Sequence, residues 1–94
     1  MHARVSTYQG EAQELRDGFD RQTQALEQLD GFQRAYFLVD SDSGKAMSIT
    51  MWDSQDALDA SAEAANRLRE DATQPSGATI NSVDSYEVAI TLGD

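Results

Sequence analysis

Hydrophobic and polar positions change period several times along this chain of 94 residues. Residues 3–9 (ARVSTYQ) mix Val, Thr and Tyr with polar side chains, the composition of a strand. Gly10 breaks that pattern, and Glu11 and Glu14 follow, where carboxylates suit the positive end of a helix dipole. Apolar positions then recur at intervals of three and four: Ala12, Leu15, Phe19, Leu26 and Leu29, with Gln22 in the same series. This is one face of a helix, predicted over residues 11–30, with Gly31 as the left-handed residue that ends it. Gly18 inside that helix costs about 1 kcal/mol relative to Ala, and a neighbouring backbone could approach closely there.

Residues 32–40 (FQRAYFLVD) and 46–53 (AMSITMWD) are β-rich and flank the polar loop Ser41-Asp42-Ser43-Gly44-Lys45, which predicts an antiparallel hairpin. On the second of these strands Met47, Ile49 and Met51 share one face, and Ser48, Thr50 and Trp52 the other. On the first, Ala35, Phe37 and Val39 oppose Tyr36 and Leu38. Both faces carry large or apolar side chains, so both need cover. Asp53 or Ser54 caps a second helix, predicted over residues 54–73, whose stripe of Leu58, Ala62, Ala65, Leu68 and Ala72 is mostly alanine. The breaker Gln74-Pro75-Ser76-Gly77 precedes a last strand over residues 79–92, with Tyr86, Val88, Ile90 and Leu92 on one side. The order β-α-β-β-α-β in one domain, residues 1–94, is the ferredoxin-like arrangement: two helices over one face of a four-stranded antiparallel sheet. The bare face is not polar, and a second copy packed sheet to sheet would cover it.

Composition narrows the chemistry. The chain is short for a self-sufficient core, burying about 60–68% of its unfolded surface, which again favours a partner subunit. There is no cysteine, so disulfides, thiolate-held metals and thiol nucleophiles are excluded. The single histidine, His2, removes motifs that need two. Seven Lys and Arg against 17 Asp and Glu give a net charge of −10, the wrong sign for nucleic acid or an anionic membrane surface. No apolar run approaches the roughly 18–20 residues of a membrane span and no signal-peptide pattern opens the chain, so the expectation is a cytoplasmic protein. Asp40-Ser41-Asp42-Ser43-Gly44 resembles the start of a calcium loop, but Met51 stands where its closing glutamate would be, and no metal site is expected.

Two patches carry a family resemblance: Leu29-Asp30-Gly31-Phe32 at the end of the first helix, and Trp52-Asp53-Ser54-Gln55-Asp56-Ala57-Leu58 leading into the second. They resemble the L-x-G-F and W-x-S-x-x-A-hydrophobic signatures of the antibiotic biosynthesis monooxygenase-like family. The resemblance implies a dimeric α+β barrel, in which two ferredoxin-like units pack their sheets together. It also implies one of two chemistries: cofactor-free oxidation of electron-rich phenols to quinones, or haem degradation. The haem-degrading branch uses an Asn on the first strand and a Trp and a His on the second helix. Here that strand has no Asn, and Ser61 and Asp71 stand near the other two positions. The quinone-forming branch combines a strand-three Trp with Asn, Tyr and Arg; Trp52 matches, while Ser48 and Leu58 occupy the places of the Asn and Tyr.

The expected function is therefore that of a cofactor-independent monooxygenase-like protein with a small aromatic or enol substrate, and no cofactor. The alternative is a non-catalytic homodimeric module that binds a ligand or supports an assembly. Six residues are pocket candidates. Trp52 could wall an aromatic ligand or simply pack where strand meets helix. Gln22 interrupts an apolar stripe and either faces a wet pocket or sits at the stripe's margin. Tyr36 and Tyr86 could hold a substrate oxygen or send their hydroxyls to water. Asn66 and Arg69 could aim at an anionic group or lie on the surface, as expected for a Glu63–Arg67 pair one turn apart. No residue stands out as a catalytic base.

Overall fold

The computed structural model describes residues 1–93. Its elements are β1 (His2–Gln9), α1 (Ala12–Glu27), β2 (Phe32–Val39), β3 (Lys45–Trp52), α2 (Gln55–Ala60), α3 (Ala62–Thr73), a 3-10 turn (Gln74–Ser76) and β4 (Thr79–Glu87). The strands form one antiparallel sheet in the order β2-β3-β1-β4. This is the expected ferredoxin-like arrangement, with the predicted second helix divided in two.

Local chemistry explains the boundaries. Glu11 is the N-cap of α1 rather than its first residue: its carboxylate accepts from the backbone N–H groups of Gln13 and Glu14 at 3.2 and 2.8 Å. The helix ends three residues earlier than the apolar spacing suggests. The N–H groups of Gln28 and Leu29 bond three residues back, to Ala25 and Leu26, and this tightened turn ends the helix. Leu29 still packs with the core, and Gly31, at φ +80°, turns the chain into β2.

The predicted helix over residues 54–73 breaks at Ser61. The Leu58 carbonyl accepts from Arg4 Nη2 at 2.7 Å and from Ser61 Oγ at 2.8 Å, and these bonds compete with the helical ladder. The last strand stops at Glu87, not at Leu92. Its partner β1 begins at His2, opposite Glu87; the Val88 N–H reaches the Met1 carbonyl at 2.9 Å, and the ladder runs no further.

The helices cover the sheet face that carries Arg4, Ser6 and Tyr8 of β1 and Ala46, Ser48, Thr50 and Trp52 of β3. The apolar core on this side is in two parts. Tyr8, Leu15, Phe19, Ala46 and Ala72 form one cluster; Leu26, Trp52 and Leu58 form the other, with Leu29, Phe32, Ala35 and Leu68 packed against it. Phe37 touches both. Gly18 lets α1 press against α3: a methyl group at that position would run into the Ala72 carbonyl.

Candidate functional site

Between the two apolar clusters lies a cavity of about 50 Å³. That volume has room for a few water molecules, at roughly 10–15 Å³ each. Its polar wall comes from alternate residues of adjacent strands: Arg4, Ser6 and Tyr8 of β1, and Ser48 and Thr50 of β3, which the antiparallel register sets side by side. Gln22 of α1 and Arg69 of α3 reach the same space. Phe19, Leu26, Phe37 and Leu68, with Ala65 and Ala72, supply the apolar remainder.

The polar groups are held in defined positions. Arg4 donates from Nη1 to Ser61 Oγ at 3.3 Å and from Nη2 to the Leu58 carbonyl. Its guanidinium also lies 5.7 Å from the centre of the Trp52 ring, within cation–π range. Arg69 donates from Nε to Ser6 Oγ at 3.2 Å and from Nη1 to Asn66 Oδ1. Tyr8 and Ser48 share a hydroxyl–hydroxyl bond of 2.8 Å. Trp52 Nε1–H donates to Thr50 Oγ1 at 3.1 Å.

The electrostatics are unusual for an acidic protein. Arg4 and Arg69 are only 6% and 9% exposed, and no carboxylate lines the cavity among the described residues. Burial lowers the Arg4 pKa, the neighbouring Arg69 charge lowers it further, and Asp59 partly opposes both. Arginine remains cationic in proteins, so the cavity wall holds two positive charges.

Of the residues singled out in the sequence, Gln22 and Arg69 line the cavity, and Asn66 braces Arg69 from an exposed position on α3. Trp52 is fully buried and supports Arg4 and Thr50 from beside the cavity. Tyr36 and Tyr86 lie on the opposite sheet face, at 47% and 56% exposure, and do not reach it. Their positions follow from register: Tyr36 pairs with Ile49 and Tyr86 with Ala3, both on the face that the helices leave bare.

The sequence reading missed Arg4, Ser6, Tyr8 and Thr50 as cavity residues, and took Ser48 only as the residue in place of an asparagine. A signal was present, since Arg4-x-Ser6-x-Tyr8 and Ser48-x-Thr50 put polar groups on one face of adjacent strands. Which face the helices cover was the missing fact.

Among the described residues, no group of three or more His, Cys, Asp or Glu could hold a metal ion. Ser61 and Asp71, which stand near the positions that the resemblance implies for the Trp and His of the haem-degrading branch, are respectively buried at the α2–α3 joint and exposed. No helix among the described residues is long and apolar enough to cross a membrane.

Comparison with known proteins bears on both fold and family. SnoaB, a cofactor-independent oxygenase from Streptomyces nogalater, is 22% identical, with a TM-score of 0.75 over 99% of this chain and 97% of its own. MhuD, a haem degrader from Mycobacterium tuberculosis solved with two haems in its active site, is also 22% identical, with a TM-score of 0.75 over 99% of this chain and 100% of its own. A monooxygenase of Streptomyces coelicolor, ActVA-Orf6, solved with nanaomycin D, is 14% identical, with a TM-score of 0.66 over 98% and 92%. At these identities the likeness is one of fold. No curated protein matches the chain. A family model described as antibiotic biosynthesis monooxygenase matches residues 1–69, the part that carries β1, both strands of the hairpin and Arg69, and the chain belongs to that family.

Proposed function

We propose that this protein is a cofactor-free monooxygenase whose small aromatic or enol substrate reacts in the cavity between α1, α3 and the sheet. The observation that carries the reading is the convergence of Arg4, Arg69, Gln22 and the Tyr8–Ser48 hydroxyl pair on one otherwise apolar cavity. A module that only stabilises an assembly needs no such group of donors. Family membership and the oxygenase described for Streptomyces nogalater support the same reading.

The chemistry follows from the substrate. A phenol that loses its proton becomes electron-rich enough to reduce dioxygen. One oxygen atom is retained as a new ring carbonyl, and the other leaves as water. The four electrons that dioxygen takes up come from the phenol, which becomes a quinone. No carboxylate or imidazole lines the cavity among the described residues, so the chain supplies a field rather than a strong base. Two guanidiniums in a low-dielectric wall favour the phenolate or enolate over its neutral form and stabilise the charge that develops on oxygen. Gln22 and the Tyr8–Ser48 pair offer hydrogen bonds to the same oxygen. Trp52 orients Arg4 rather than the substrate. The cavity must widen to admit a ring, and Gln22, Phe37, Thr50 and Leu68 are its half-buried lining residues.

The test is oxygen uptake with a panel of phenols. The expected result is quinone formation that falls at least tenfold in Arg69→Gln. No uptake with any phenol would sink the reading. The lack of a carboxylate or imidazole base in the lining among the described residues favours a second reading, a module that binds a ligand without converting it; saturable binding without oxygen uptake would establish that one.

The sheet-to-sheet dimer belongs to the same proposal. On the bare face Tyr36 and Leu38 of β2 and Tyr86 of β4 are about half exposed, and Val5, Met47, Ile49 and Met51 are partly so. Ile90 and Leu92, past the end of β4, are 84% and 96% exposed. An apolar surface of this extent suits a second copy.

A further inference from the structure

Buried charges are ordinarily paired with an opposite charge, because removing an ion from water is expensive. Arg4 and Arg69 break that pattern together. Each is more than nine-tenths buried, they share one cavity wall, and their protein partners are neutral: a hydroxyl and a carbonyl for Arg4, a hydroxyl and an amide oxygen for Arg69. Each guanidinium has five N–H groups. Among the described residues those bonds leave three N–H groups unused on each: the Nε–H and one hydrogen each of Nη1 and Nη2 on Arg4, and one hydrogen of Nη1 and both of Nη2 on Arg69.

We infer that the cavity is an anion site: its ligand is a small aromatic or enolic acid, bound as the anion, with its oxygens between Arg4 and Arg69. This rests on reading the cavity as a substrate site, and adds the charge that the substrate must carry. Two buried arginines on one wall, each hydrogen-bonded only to neutral groups, match an anion already present in the bound ligand. Burial and then Arg69 lower the Arg4 pKa, and Asp59, which is not hydrogen-bonded to it, offsets only part of that. Once the cavity widens, the remaining wall offers matching chemistry for the rest of such a molecule: Phe19, Leu26 and Phe37 for the ring, Gln22 for a further oxygen.

Matched pairs of probes test this on the wild-type protein by titration calorimetry. Benzoate is set against benzamide, and 4-nitrophenolate against 4-nitroanisole. The expected result is at least tenfold tighter binding of the anion in one pair or both. The carboxylate pair and the phenolate pair then identify which acid the site prefers. Arg69→Gln and Arg4→Gln should each weaken the favoured anion at least tenfold, and Arg69→Lys should restore part of the loss. Equal affinity for charged and neutral members, or no saturable binding of either anion, overturns the inference. A glutamine variant that fails to fold leaves the wild-type comparison decisive. Anion binding without oxygen uptake keeps the anion site and removes the oxygenase reading. Oxygen uptake with no preference for anions does the reverse.

Discussion

The residue that most alters the picture is Arg4. Its guanidinium rests over the fully buried Trp52 and bonds the Leu58 carbonyl and Ser61, so it links β1 to the α2–α3 joint. Its charge is nevertheless a burden on the fold, because burial strips its water and Arg69, a like charge, shares its wall. Arg4→Met keeps the length and apolar contact of the side chain and removes the charge, while Ser61 still serves the Leu58 carbonyl. The expected outcome is a gain of about 1–2 kcal/mol in stability, of the kind seen when buried ions are replaced by apolar groups, together with loss of ligand binding. A lower melting temperature would show that the bonds to Leu58 and Ser61 outweigh the burial penalty. Gln22 was legible in the sequence as a polar break in an apolar stripe, and Arg69 as a helix residue able to aim at an anionic group, though for each a place on the surface or at the stripe's margin stood open. Arg4 was not, because a strand has two faces and alternation does not say which one is covered.

At the scale of elements, the packing of α1 on α3 depends on Gly18. Alanine is the better helix former by about 1 kcal/mol, yet its methyl would meet the Ala72 carbonyl, part of a backbone that cannot rotate away. Gly18→Ala should therefore destabilise the protein by about 1–3 kcal/mol, the usual range for overpacking, as read from urea unfolding. A neutral or stabilising effect would mean that the helices separate easily. The hairpin between β2 and β3 carries a pH signal. The Asp40 carboxylate accepts from the Asp42 N–H at 3.0 Å, and this bond, then the Ser43 hydroxyl, lowers its pKa. A carboxyl whose folded pKa is depressed contributes stability above its unfolded pKa of about 3.9, and loses it as pH falls through the folded value. Wild type should exceed Asp40→Asn slightly near neutral pH, with the gap closing as pH falls through the depressed folded value; a gap that widens in acid would contradict the assignment. The break at Ser61 was invisible in the sequence, since it is made by Arg4 from 57 residues away.

At the scale of the whole molecule, one sheet face is covered and the other is not. Leu38, Tyr36 and Tyr86, and Ile90 and Leu92 beyond them, remain exposed in a single chain. Sedimentation at micromolar concentration should show a species of about twice the chain mass of 10.3 kDa. Leu38→Asp, at a position half exposed in the single chain and so harmless to its folding, should shift it to the monomer. A wild-type monomer under the same conditions removes the barrel arrangement. The net charge of −10 takes a different role in this setting. It keeps the exterior acidic, while the two arginines concentrate positive charge in the cavity.

By itself the sequence determined the order of elements, the fold class and the apolar character of both sheet faces. Those depend on local periodicity and turn chemistry, which neighbouring residues carry among themselves. It also placed the family's two short signatures on the chain. Only the tertiary structure decided where the polar groups converge, where the second helix breaks and which tyrosines leave the site. Each of these depends on strand register and on which face the helices cover, relations between residues some 40 to 65 positions apart.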